Sequence, residues 1–398
     1  MNSNLSIIYI YIMKFTEDSI QIQKFIKKFD KIASENLTKT RTAIIKSFFI
    51  KLNNNHYNKP HCISRLVVLR NHTVEKNGLF NIIPQKIRTD IEGNYNTAHL
   101  ITYIIHSKTV NYHIYDKMEL NSGLIDNMIY KMNLWLSIAF EQANNECSNK
   151  LDIHLFLTDH KKITPDYDKP VDTIHANTAF TTSCSQYNKV YIYRKEEWFK
   201  VFIHETFHCL GLDFSHMDVR KSNTIINNIF STNIYDIRLY ESYCETWAET
   251  FNLIFIAFFK TPSKVDYSSM FELFQKMYNE ELTFSIYQMV TILKKQNIRY
   301  IDLVQSNGGL TYNEKTNAFS YYILKSIIMF HMNHFLTWCN NNNNNIINFT
   351  DTPENISKYC DFIKKWYSDV EYLKTIEYIE KQNTIKLKTL RMTAFEIL

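Results

Sequence analysis

The stretch EEWFKVFIHETFHCLGLDFSH, residues 196–216, constrains the fold of this chain more than any other segment. It contains an H-E-x-x-H motif formed by His204, Glu205 and His208. On an α-helix, positions i and i+4 lie on one face, so both imidazoles can bind the same metal ion. Glu205 lies one step around the helix, where a carboxylate can take a proton from water without binding the ion. The motif therefore predicts a helix that carries a catalytic zinc site.

The residues around the motif indicate a packed helix that ends soon after the second histidine. Phe202, Ile203 and Phe207 supply an apolar surface. Gly211, one of only six glycines in the chain, stands where a helix commonly ends in a residue of positive φ. We therefore expect the helix to end at this glycine.

The third protein ligand of the expected ion has several candidates. The longer pattern H-E-x-x-H-x-x-G-x-x-H/D fits through Gly211, but Phe214 occupies its last position. Asp213 and His216 lie one residue before and two residues after that position, so either would need a shift in register. The pattern is typical of metzincins, and a metzincin-like site that uses His216 or Asp213 is one alternative.

A later stretch, YESYCETWAETF at residues 240–251, offers glutamates instead. Glu241, Glu245 and Glu249 recur every four residues and therefore share one helix face. Apolar neighbours on several sides predict burial of at least one of them, and a buried carboxylate needs a partner such as a metal ion. Glu245 is central on this helix and is followed closely by Ala248, which permits close helix approach, so we favour Glu245 over Glu241.

These motifs resemble the gluzincin group of zinc metallopeptidases. Within it, ETWAETF is similar to the E-x-x-A-E-x-F stretch of the lethal-factor-like peptidases, and the resemblance implies that Glu245 is the third ligand and Glu249 supports the site. The motif regions also resemble uncharacterised predicted metallopeptidases of large DNA viruses. HANTAFTT, from His175, is similar to the edge strand that pairs with an extended substrate in such enzymes. The matching region covers about residues 176–259, under a quarter of the chain.

The resemblance implies a zinc-dependent metallopeptidase that hydrolyses peptide bonds in a peptide or protein substrate. Zn²⁺ would be bound by His204, His208 and Glu245, and Glu205 would be the general base toward a zinc-activated water. The donor that stabilises the oxyanion is left open among candidates on later helices: Tyr240, Tyr243, Tyr321, Tyr322, His331 and His334. A further alternative is a non-catalytic virion or scaffold protein that retains a zincin fold.

Composition narrows the partners and the compartment. The net charge of +5 comes from 45 basic and 40 acidic residues without a basic block, which argues against a specific nucleic-acid partner. Seven cysteines without a C-x-x-C pair indicate a reducing, intracellular compartment, with host cytoplasm or a virion as options, rather than a disulfide framework. The apolar segment at residues 5–13 is too short to span a bilayer and lacks the features of a signal peptide. The oligomeric state is left open.

The order of predicted elements indicates an α+β fold of zincin-like type. Helical periodicity precedes short strands, the motif helix follows a strand, and the chain beyond it is mainly helical. We predict four segments: a helical one at 1–60, a sheet-containing lobe at 61–215, a helical lobe carrying the third ligand at 216–339, and a helical extension at 346–398. The asparagine run at residues 340–345 is expected to be a solvated linker.

Overall fold

A computed structural model describes residues 14–29, 36–69, 78–117, 120–305, 307–382 and 386–397. These residues form a mixed α+β structure with one six-stranded sheet and many helices, which confirms the predicted class at that level. The apolar segment at residues 5–13 lies outside the described residues. None of the described helices is long and apolar enough to cross a membrane. The division into four segments stays a prediction.

The sheet combines antiparallel and parallel pairs. Its strands are β1 (His61–Leu69), β2 (Thr97–Ile105), β3 (Lys108–Asp116), β4 (Lys150–Thr158), β5 (Ala179–Thr181) and β6 (Tyr187–Arg194). Their spatial order is β1-β2-β3-β4-β6-β5. β1, β2 and β3 form an antiparallel meander, β4 is parallel to both β3 and β6, and β5 pairs antiparallel with β6. The short strand β5 therefore forms one edge of the sheet.

Helices surround the sheet and make up most of the remaining chain. The α-helices of the described residues are α1 (Glu17–Ile26), α2 (Lys39–Tyr57), α3 (Gln85–Asn94), α4 (Ser122–Phe140), α5 (Thr173–Ala176), α6 (Trp198–Cys209), α7 (Arg220–Phe230), α8 (Leu239–Lys260), α9 (Tyr267–Lys295), α10 (Tyr300–Gln305), α11 (Lys325–Phe330), α12 (Met332–Asn342), α13 (Pro353–Trp366) and α14 (Val370–Gln382). A π-helical turn, Phe319–Leu324, leads into α11. The asparagine run is only partly a linker, because α12 continues to Asn342.

The two faces of the sheet contact different hydrophobic clusters. Along β3, side chains alternate strictly, so Val110, Tyr112 and Ile114 enter the main core that also includes α4 and α6. The opposite face contributes Phe156 to a smaller cluster with residues of α3. β4 is buried on both faces, as its nearly continuous apolar sequence predicts.

The motif helix α6 is held between the sheet and α8. It follows β6 after three residues and contacts β5, β6, α4 and α8. On its core side, the indole Nε1 of Trp135 donates to Oγ1 of Thr206 at 2.7 Å. These contacts fix the helix from three directions, which gives the motif side chains a rigid support.

The start of α6 is tied to residues near the other end of the chain. Glu197, the N-cap residue, is 1 % exposed, and one of its carboxylate oxygens accepts from the backbone N–H groups of Met392 and Thr393. Its other oxygen accepts from the Lys162 ammonium at 2.7 Å. The segment around Met392 thereby becomes part of the wall beside α6.

The cysteines differ in part from the expectation. Cys147 and Cys184 form a disulfide bond, and the remaining five cysteines are free. The bond joins the segment before β4 to the turn between β5 and β6. A single bond is not the dense framework that small secreted domains use, and the expected reducing compartment stays a prediction.

Candidate metal centre

Three side-chain atoms converge where α6 and α8 pack together. Nε2 of His204 and Nε2 of His208 are 3.2 Å apart. Oε2 of Glu241 lies 3.0 Å from the first of these nitrogens and 3.3 Å from the second. All three residues are buried, and they form one of the clusters able to hold a metal ion. The histidines thus lie together as predicted, and the carboxylate that joins them belongs to Glu241.

The spacing of these atoms fits a zinc ion. Zinc–nitrogen and zinc–oxygen bonds of about 2.0–2.2 Å in a tetrahedral site put neighbouring ligand atoms about 3.3–3.5 Å apart. The three separations lie at or just below this value. Two imidazoles and one carboxylate are also a ligand set that zinc uses in catalytic sites, where a fourth position stays open. The residues present therefore fit the expected ion.

Glu245 does not point to this position, contrary to our expectation for the third ligand. Its Oε2 lies 2.8 Å from Nδ1 of His204, the nitrogen that does not face His208. Its Oε1 is paired with the Lys200 ammonium, and both side chains are 2 % exposed. The physical reason is the rotation of α8, which presents the glutamate one turn earlier to the facing nitrogens.

The third glutamate of the stripe is also buried but lies away from the histidines. Glu249 accepts from the Lys325 ammonium of α11 at 2.5 Å. Its carboxylate contacts a lysine and not an imidazole, so the expectation that Glu249 supports a ligand imidazole stays a prediction. Burial of all three glutamates agrees with the apolar surroundings predicted for α8.

The turn after α6 places a carboxylate behind His208. Gly211 has φ +63°, its N–H donates to the His208 carbonyl, and the Leu212 N–H donates to the Phe207 carbonyl. This Schellman ending reverses the chain, so that Oδ2 of Asp213 lies 2.5 Å from Nδ1 of His208. Asp213 is thereby positioned to orient the imidazole rather than to join the three converging atoms.

His216, the other candidate from this turn, lies elsewhere. It is half exposed, and its Nε2 is 3.4 Å from Oδ2 of Asp351. Phe214 is fully buried and packs against Phe349, with ring centroids 4.3 Å apart. Phe214 thus anchors this turn in the core, and the structure does not bring His216 to the three converging atoms.

Glu205 is at the position that its motif predicts. Its side chain lines a cleft that also contains His204, Val201 and Tyr321. Within the described residues no hydrogen bond or ion pair to its carboxylate occurs. Burial raises the pKa of this carboxyl, and the nearby histidines partly offset the rise. Glu205 is therefore available to a group bound in the cleft.

Electrostatic interactions around the three converging residues favour a cation. Burial alone would raise the pKa of Glu241, but His208 and His204 hold it well below the usual range. Burial lowers the pKa of His204, whereas Glu241 and Glu245 raise it, with a net value of about 8. Three carboxylates, Glu241, Glu245 and Asp213, thus surround two imidazoles in a buried space.

The cleft beside Glu205 is bounded by the edge of the sheet. Residues 176–179 form one wall, and Val201, Tyr321 and Met392 lie on others. The cleft opens to solvent. Strand β5 begins at Ala179, and among the described strands only β6 pairs with it. An extended chain in the cleft could therefore form backbone hydrogen bonds with the other edge of β5.

The predicted oxyanion donors separate into two groups. Tyr243 and Tyr322 donate to the backbone carbonyls of Ile347 and Leu390, and His331 stacks on Trp366, so these three belong to the core. His334 stacks on the same indole at 4.2 Å.

Two tyrosines remain near the motif. The ring of Tyr321 is 5.9 Å from that of His204, and its hydroxyl accepts from Nδ2 of Asn317 at 3.5 Å. The ring of Tyr240 is 5.7 Å from that of His208. Tyr321 also lines the cleft and lies on the π-helical turn, a feature common at functional sites.

Sequence reasoning missed two groups beside the site, Lys200 and Met392. Lys200 lies on α6 one turn before His204, a spacing that would have shown that the two share a helix face. Met392 reaches the cleft from far along the chain, and no local sequence signal indicates this contact.

Comparisons of the chain with protein-family models, with curated proteins and with solved structures found no match. The likeness to gluzincins therefore rests on the motif residues alone and stays an expectation. Glu241, and not the Glu245 that the E-x-x-A-E-x-F likeness implies, lies at the facing nitrogens.

Proposed function

We propose that the chain is a zinc-dependent peptidase of the zincin type, with His204, His208 and Glu241 as the protein ligands. The observation that carries the proposal is the triangle of two Nε2 atoms and one carboxylate oxygen, with sides of 3.0–3.3 Å. Its separations suit one tetrahedral ion, and a cleft that opens to solvent is lined by His204 and Glu205. The glutamate named from the sequence, Glu245, becomes a residue that supports His204.

Glu205 is the general base in this proposal. Zinc, when bound, supplies Lewis acidity toward water and toward a peptide carbonyl. The Glu205 carboxylate lines the same cleft and has no competing hydrogen bond within the described residues. It would take the proton of the attacking water and then pass it to the leaving amine.

Two further residues have supporting roles. Asp213 accepts a hydrogen bond from Nδ1 of His208 and so directs Nε2 toward the ion. Tyr321 is the donor best placed to stabilise the oxyanion, because it lines the cleft beside His204. The role of Tyr321 is argued from its position in the cleft. Its hydroxyl also accepts a hydrogen bond from Asn317.

The substrate is proposed to be an extended peptide segment that pairs with β5. Strand addition supplies backbone hydrogen bonds independent of sequence, and side-chain selection would then come from the walls of the cleft. Those walls include the small residues Ala176 and Ala179 together with Val201 and Met392. The proposal therefore favours small or apolar substrate side chains next to the scissile bond.

The test is cleavage of a mixed peptide library by the zinc-loaded full chain, read by mass spectrometry. The proposal expects discrete cleavage products that disappear with Glu205→Gln and with a chelator. A matched control is Glu272→Gln, an exposed glutamate on α9, which should cleave as the parent does. A zinc-loaded, folded parent that cleaves no peptide would instead support a binding or scaffold role.

A further inference from the structure

A second group of metal-binding residue types lies on the sheet, apart from the site on α6. His113 of β3 and His154 of β4 are direct register partners in the parallel pair. Asp152 precedes His154 by two residues on the same strand and therefore faces the same side of the sheet. Their neighbours Tyr112 and Ile153 point into the main core on the other side.

The donor atoms of these three residues lie close together. One ligand atom from each of His113, Asp152 and His154 falls within 4.8 Å of the others. The two imidazole rings are nearly parallel, at 14°, with centroids 4.4 Å apart. Neighbouring ligands of a tetrahedral ion are about 3.3–3.5 Å apart and imidazole nitrogens bind in the ring plane, so the parallel rings would turn and close by about an ångström on binding.

Neighbouring hydrogen bonds orient two of the three residues. Nδ2 of Asn111 donates to Oδ1 of Asp152 at 2.8 Å, and the Tyr187 hydroxyl donates to Oδ2 at 2.5 Å. The Tyr115 hydroxyl contacts Nδ1 of His154 at 3.1 Å, which assigns Nε2 as the ligand nitrogen of that ring. Such outer contacts are the usual means of fixing a ligand carboxylate or imidazole.

The surroundings are buried and aromatic. Asp152 is 7 % exposed and His154 is 8 % exposed. The ring of Tyr191 on β6 stacks on the other face of His154, with centroids 4.5 Å apart. Placing a carboxylate in such surroundings costs free energy, and a bound cation offsets that cost.

We propose that His113, Asp152 and His154 bind a divalent transition-metal ion of the zinc class. Two imidazoles and one carboxylate favour Zn²⁺ and its spectroscopic substitute Co²⁺ over Mg²⁺ or Ca²⁺, which prefer all-oxygen ligands. The ion would cross-link β3 to β4 and leave at least one position for water. This site shares no residue with the proposed peptidase site, so either one stands without the other.

The experiment uses the full chain with His204→Ala and His208→Ala, which removes the first site. Co²⁺ is titrated while its visible absorption is followed, and bound zinc is measured separately by mass spectrometry after dialysis. The proposal expects about one equivalent of metal to remain in this background. Adding His113→Ala and His154→Ala should abolish it, while adding His61→Ala and His106→Ala, two exposed histidines, should not.

A conservative variant guards against misfolding of the sheet. In the same background, Asp152→Asn keeps the side-chain volume and should weaken Co²⁺ binding about 10–100-fold. Zinc should raise the unfolding temperature of the background protein more than that of the Asp152→Asn variant. The proposal would be overturned if the background protein bound no metal, or if Asp152→Asn left the Co²⁺ affinity unchanged.

The two metal proposals fail in different ways. If the peptidase site is wrong, the parent and the His204→Ala, His208→Ala protein bind the same amount of zinc, and the sheet site still responds to its own variants. If the sheet site is wrong, changing His113 and His154 leaves the zinc content of the parent unaltered.

Discussion

Oε2 of Glu245 lies 2.8 Å from Nδ1 of His204, the ring nitrogen that does not face His208. Glu241 approaches the same ring at Nε2, so two glutamates one helical turn apart contact its two nitrogens. Glu241 is therefore positioned to share an ion with the imidazole, and Glu245 to hold the imidazole in place.

Replacing Glu205 with Gln should leave zinc content and fold unchanged but reduce peptide hydrolysis at least about a hundredfold. The amide has nearly the same shape but cannot accept the proton of the attacking water. Steady-state cleavage of a library-derived peptide provides the measurement, with circular dichroism and zinc content as checks. Hydrolysis at parental rates would show that another group is the base.

Asp213→Asn should weaken zinc binding about 10–100-fold, because the hydrogen bond at Nδ1 of His208 loses its charged acceptor. Asp218→Asn is the matched control, since Asp218 is exposed and pairs only with Arg220 within the described residues. Competition with a chromophoric chelator gives both affinities. Equal affinities in the two variants would contradict the role given to Asp213.

Glu245→Gln should destabilise the metal-free protein by about 3 kcal/mol, because it leaves the buried Lys200 ammonium without its charged partner. Adding Lys200→Met should recover at least half of that loss, since the uncompensated charge is then removed. Urea unfolding in the presence of a chelator measures both changes. If the double variant loses as much stability as Glu245→Gln and Lys200→Met lose together, the Lys200–Glu245 pair is not the source of the effect.

The sequence was sufficient to locate the motif helix, its glycine ending and a glutamate stripe with at least one buried member. It could not choose between Glu241 and Glu245, because residues four apart share a helix face and only the rotation of α8 against α6 separates them. Helix α3 was also missed, since it is short and mostly polar. The contact of Met392 with the cleft depends on tertiary packing alone.

A buried acid outside both sites predicts a pH dependence of stability. Burial raises the pKa of Glu314 to about 8 from an ordinary value of 4.5, against hydrogen bonds from the Phe319 N–H and the Tyr312 hydroxyl. The folded state therefore binds more protons than the unfolded state between these values. The contribution of the protonated Glu314 carboxyl to stability is full below pH 4.5 and is lost as pH rises toward 8.

Glu314→Gln should remove this loss, because the amide stays neutral at every pH. The free energy of unfolding of the variant minus that of the parent should grow by a few kcal/mol between about pH 5 and pH 8 and then level off. Glu272→Gln, at an exposed site, should show no such trend. A pH-independent difference for Glu314→Gln would mean that this carboxyl titrates normally.

The most direct test of the central claim is the zinc content of Glu241→Ala beside that of Glu245→Ala, measured by mass spectrometry after exhaustive dialysis. Glu241 lies 3.0 and 3.3 Å from the two facing Nε2 atoms, so its loss should remove one equivalent of zinc relative to the parent. Glu245→Ala should retain that equivalent with lower affinity, provided that circular dichroism shows the variant to be folded. Retention of the full zinc content by Glu241→Ala, with loss in Glu245→Ala, would contradict the proposed ligand set.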